Sequence, residues 1–145
     1  SNIFNILMVI GIAALLSNLT MEKSVLKKDL PWHKMGVSHL TGTHVFKADH
    51  AKAVSLLKTD DLYNIFSECA KKGVGIELNM KSIFNSEEEK DALLRPFFIA
   101  KECGCKFYLG SDAHKTEALK TAKQNFLNIV DLLDLKEENK FNLVR

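Results

Sequence analysis

The first feature of the chain is a nearly unbroken apolar run over residues 3–16, interrupted only by Asn5. It is shorter than the roughly 18 to 20 residues that a bilayer span needs, and it lacks the basic start of a signal peptide. The expectation is a buried helix or strand, or a surface that packs on another chain. Further on, a strand is expected over 34–39, after Pro31 and Trp32. Over 60–72 the apolar residues Leu62, Ile65, Phe66 and Cys69 recur at helical spacing, with Asp60 or Asp61 as cap and Gly73 as stop. Val74, Gly75, Ile76, Glu77, Leu78 and Asn79 follow as a short apolar run with β-branched residues, the pattern of a buried strand.

The alternation then repeats. Ser86 and Glu89 stand at capping-box spacing before a helix carrying Leu93, Leu94, Phe97 and Ala100, which ends at Gly104. Pro96 is expected to kink this helix or to mark its true start. Residues 106–110 read as another strand. From Thr116, the stripe Leu119, Ala122, Phe126, Ile129, Val130 and Leu133 predicts a helix. Strands alternating with helices imply an α/β fold of parallel strands joined by right-handed crossovers, either an α/β barrel or an open wound sheet. Active residues in such folds gather at the carboxyl ends of the strands. The expected organisation is an apolar N-terminal segment over 1–33 and an α/β portion over 34–145.

Composition narrows the function classes. The 145 residues suffice for one core, and the formal charge of +2 comes from Lys and Arg spread among nearly as many acids. Without a dense basic block, charge gives nucleic-acid binding no support. The odd set Cys69, Cys103 and Cys105 has no disulfide spacing, so free thiols and a cytoplasmic location are expected. Cys103 and Cys105, spaced C-x-C without a second pair, read as small residues at a helix end and a strand start. No G-x-G-x-x-G turn follows any predicted strand, which argues against a Rossmann-type nucleotide binder.

Candidate chemistry sits just past the strand at 106–110, in Gly110-Ser111-Asp112-Ala113-His114. A carboxylate and an imidazole two residues apart at a strand tip suit zinc, manganese or iron. Taken alone, D-x-H is a weak signal, and a turn aspartate beside a helix-start histidine fits it better than a metal site does.

The segment from Phe107 to His114 resembles the closing motif of the polymerase and histidinol phosphatase (PHP) family, in which a strand delivers G-S-D-A-H or G-S-D-S-H to a metal centre. Upstream, Glu77-Leu78-Asn79 resembles the family's strand with an acidic residue followed by Asn. Gly36-Val37-Ser38-His39 resembles the strand that ends in a metal-binding histidine, although Leu40 stands where many relatives have proline. The resemblance implies a distorted (β/α)7 barrel with two or three divalent metals at the strand tips, hydrolysing phosphate esters. By position it implies His39, Asp112 and His114 as metal ligands. Glu77 and Asn79 match a family motif that carries no firm ligand role and are candidates for supporting the ligands or for a purely structural part, and Lys115 could meet a substrate phosphate.

The family also draws ligands from its first half, notably an H-x-H pair, and no H-x-H occurs among His33, His39, His44, His50 and His114. His44, five residues after His39, is the candidate substitute; His33 and His50 are expected at the surface. The chain is therefore expected to be the C-terminal part of a PHP-type phosphoesterase domain, inactive by itself. The rival is a non-catalytic binding or regulatory module that keeps the fold. A partial barrel exposes sheet edges and apolar surface, so the segment over 3–16 is expected to fold back or to exchange with a second copy in a homodimer.

Overall fold

The structure, a computed structural model, describes residues 31–40, 50–79, 87–111 and 113–142. The expectations for residues 3–16 and for His44 and Ser86 lie outside these. The chain divides into two units, Ser1–Trp32 and His33–Arg145, and the described sheet and helices belong to the second.

A 3₁₀ turn at Trp32–Lys34 leads into β1 (Gly36–Val37), shorter than the strand expected over 34–39. Helix α1 (His50–Ser55) and helix α2 (Thr59–Lys72) precede β2 (Gly75–Leu78). Helix α3 (Glu87–Glu102), β3 (Lys106–Leu109), helix α4 (Thr116–Leu132) and a 3₁₀ turn at Glu137–Asn139 complete the order.

Local chemistry explains the helix ends, with two corrections. The cap of α2 is Lys58 rather than Asp60 or Asp61, which lie in the first turn where carboxylates favour the positive end of the helix dipole. Pro96 does not mark the start of α3, which runs through it with the residue buried. Apolar packing of Leu93, Leu94, Phe97, Ile99 and Ala100 offsets the missing N–H, worth about 3 kcal/mol in an isolated helix. Gly73 stops α2 as expected: at φ 68° it lets its own N–H reach the Ala70 carbonyl and the Val74 N–H reach that of Cys69.

The strands form one parallel sheet in the order β1-β2-β3. Gly36 pairs with Gly75, and the β2–β3 register runs from Gly75 with Lys106 to Leu78 with Leu109. Both connections move across the sheet in the same direction. With right-handed crossovers, such a path carries its helices to one face, unlike a doubly wound sheet in which the direction reverses. The core agrees: Ile76, Leu78 and Phe107 pack with Leu62 and Phe66 of α2, Leu94, Phe97 and Ala100 of α3, and Ile129 of α4. Each fully buried side chain of this size contributes about 1.5–3 kcal/mol.

Strand alternation sends Ser38, Glu77, Asn79 and Tyr108 to the other face. There the Tyr108 ring lies over Gly36 and the Phe141 ring over Gly75. Lys140 bridges to Phe107 in parallel register and the Phe141 N–H donates to the Phe107 carbonyl at 2.7 Å, which partly covers the free edge of β3. Among the described residues the sheet is open and three-stranded.

Candidate functional site

Parallel strands share one carboxyl edge, and the three segments carrying candidate residues leave from it in order. Ser38 and His39 follow β1, Glu77 and Asn79 stand at the end of β2, and Gly110 and Ser111 follow β3. Neighbouring strands lie about 4.8 Å apart, so β2 separates its two flanking tips by roughly 10 Å.

Glu77 is the buried polar residue of the sheet, 8% exposed. A buried carboxylate needs compensating donors, and one is the backbone N–H of His39, which donates to Oε2 at 2.7 Å, the length of a charge-assisted bond. The carboxylate also lies against Gly110, where an added Cβ would collide with Oε1. One side chain of the central strand thus touches the chain leaving each neighbour. His39 has φ 56°, a left-handed backbone that costs a residue with a Cβ about 1–2 kcal/mol.

The His39 ring lies beside Asn79, with Nδ1 3.5 Å from Asn79 Nδ2. With the amide so oriented, Nδ1 accepts and the proton sits on Nε2. The flipped amide presents Oδ1 instead and makes Nδ1–H the donor, as the group supporting a histidine ligand usually does. Next to this pair, Ser38 Oγ and Tyr108 Oη are hydrogen-bonded at 3.0 Å. Burial foremost pushes the Tyr108 phenol up; the negative Glu77 adds to the rise and the Ser38 bond opposes it, so the hydroxyl keeps its proton at neutral pH.

After β3, the Gly110 N–H donates to the Leu78 carbonyl at 3.2 Å, and the Ala113 N–H donates to Ser111 Oγ at 3.3 Å in the turn beyond it. His114 and Lys115 are exposed, and Lys115 is the N-cap residue of α4 without a side-chain cap bond. Asp112 and His44 lie outside the described residues. His39, Glu77 and Asn79 are thus brought together, while His114 and Lys115 stand on the next loop along the same edge. Imidazole and carboxylate are suitable donors for zinc, manganese or iron, yet among the described residues no three such side chains converge as a cation site.

Ser38 and Tyr108 lie within the matched segments, but the resemblance gives neither a role. Period-2 alternation is the available signal, since it places Tyr108 on the face of Glu77, its register partner.

The thiols sit at the opposite end. Cys103 lies in the turn after α3 and Cys105 immediately before β3, as their small-residue reading expects. Cys105 Sγ donates to the Phe66 carbonyl at 3.3 Å, and Cys103 Sγ lies 3.7 Å from the Tyr63 carbonyl and 3.6 Å from Ser67 Oγ. All three cysteines are free.

Comparison with protein-family models, curated proteins and solved structures finds no match to this chain.

Proposed function

We propose that residues 34–145 are the C-terminal part of a PHP-type, metal-dependent phosphoesterase domain, a portion of its distorted (β/α)7 barrel, and that this polypeptide alone turns over phosphate esters negligibly. The reading is supported by one observation above all: three motif segments leave adjacent strand ends in order along one edge, with Glu77 contacting both flanking segments. On this reading His39, Asp112 and His114 hold a divalent cation, zinc, manganese or iron. Such a cation, when bound, generates hydroxide near neutral pH and offsets phosphoryl charge. Asn79 orients the His39 ring, and Lys115 meets the substrate phosphate.

Three donors fall short of the four of a closed structural site, and the family's H-x-H pair is absent from these 145 residues. Binding should therefore be weak. The test combines zinc titration with an assay of p-nitrophenyl phosphate hydrolysis in added manganese or zinc. Expected are weak zinc uptake lost in Asp112→Asn and His39→Ala, and hydrolysis at the protein-free rate. Turnover abolished by Asp112→Asn would overturn the inactivity. Zinc uptake indifferent to both substitutions would overturn the ligand assignment, and no uptake at all would favour a non-catalytic module.

A further inference from the structure

Among the described residues, two non-glycine residues have positive φ, His39 at 56° and Asp134 at 46°. Asp134 has a local reason. It follows α4, where its N–H reaches the Asp131 carbonyl and the next N–H, of Leu135, reaches that of Val130, a helix-closing pattern that calls for a left-handed residue. His39 closes no helix. It follows a two-residue strand, and its backbone N–H meets a carboxylate from the neighbouring strand. Backbone strain of this kind persists where the surroundings over-determine it, and it gathers at functional sites.

The surroundings here are Glu77 and what fixes Glu77. Ile76 and Leu78, on either side of it, are 0% and 1% exposed in the core, so the strand that carries the carboxylate cannot shift without disturbing packing. Gly110 leaves the space that the carboxylate fills. Next along β2, Asn79 stands beside the ring of the same histidine whose N–H Glu77 holds. Backbone and ring of His39 are thus each addressed from one strand, by residues two positions apart on one face.

We infer that Glu77 is the positioning residue for His39: its carboxylate holds the left-handed backbone and thereby turns the imidazole toward Asn79 and the shared strand edge. The functional sense of this rests on the proposed role of His39 as a ligand, while the geometric claim stands apart from it.

The test uses the full chain as wild type, Glu77→Gln, Glu77→Ala, His39→Ala and the Glu77→Ala/His39→Ala double variant. NMR reads hydrogen exchange of the residue 39 amide and the contact between the His39 ring and the Asn79 side chain; titration with zinc alone reads affinity. Glu77→Gln keeps an oxygen acceptor and should keep the ring contact, with the amide proton resonance moved upfield as the charge assistance is lost. Glu77→Ala should expose the amide to exchange, abolish the ring contact and weaken zinc binding about 10- to 100-fold, the range for groups that support a ligand. In the His39→Ala background, where zinc uptake is already lost, adding Glu77→Ala should restore none of it.

Retention of the ring contact in Glu77→Ala would overturn the inference, as would a residue 39 amide no faster to exchange in Glu77→Ala than in wild type. Should Glu77→Ala fail to fold, Glu77→Asp, too short to reach the amide, replaces it under the same criteria. If wild-type protein binds no zinc, the ligand reading of His39 fails, and the NMR results still decide the positioning claim.

Discussion

At the scale of single residues, the face of the sheet opposite the helices depends on what is missing from a glycine. Gly110 follows β3 where the Glu77 carboxylate crosses it, and a methyl group there would occupy the position of Oε1. Moving the carboxylate would break its bond to the His39 N–H, so the clash has no inexpensive relief. Gly110→Ala is expected to destabilise the protein by about 1–3 kcal/mol, as overpacking does, in a urea titration followed by circular dichroism. The contact is specific to Glu77. The double variant Gly110→Ala/Glu77→Ala should therefore be less destabilised than the two single losses sum to. A clash of this kind could not be seen in the residue order, because Gly110 and Glu77 meet through strand pairing.

Elements carry their own signals, and these were the most legible. The helical stripes before Gly73 and Gly104 and after Thr116 correspond to α2, α3 and α4, and the short apolar runs to β2 and β3. Boundaries were less legible, since a cap depends on the backbone of one residue. Lys58 has the extended conformation of a cap, φ −70° and ψ 138°, but makes no side-chain cap bond to the open N–H groups of α2. A serine there has the oxygen that lysine lacks. Lys58→Ser is expected to raise stability by about 1 kcal/mol, measured as an increased urea midpoint with unchanged slope. A neutral or negative effect would mean that the start of α2 is satisfied in some other way. Pro96 is the opposite case, a local signal for a helix start overruled because its neighbours in α3 are held in the core.

For the whole molecule, two thiols, Cys105 buried and Cys69 half-buried, link stability to pH. Burial foremost pushes the Cys69 thiol up to about 11 and Cys105 to about 12, from the ordinary 9.0. Above pH 9 the unfolded chain releases these protons while the folded chain keeps them, so the unfolded state binds fewer and stability falls as pH rises. The contribution is complete below pH 9 and is lost as pH climbs toward 11 and 12. Urea midpoints should decline as pH rises above 9, and the decline should be shallower in Cys69→Ala/Cys105→Ala; an identical slope would refute the linkage. The alternation of elements, the three core helices and the parallel strand class were determined by the sequence itself, because hydrophobic periodicity and helix-stop glycines act over a few neighbouring residues. The same residue order marked His39, Glu77 and Asn79 as chemically interesting, by motif. Only the tertiary structure decided that the sheet runs β1-β2-β3 with its helices on one face, that Tyr108 joins Ser38, and that Glu77 reaches His39 and Gly110 at once. Those contacts join residues dozens of positions apart, and strand register together with core packing, neither of which is local, selects which of them meet.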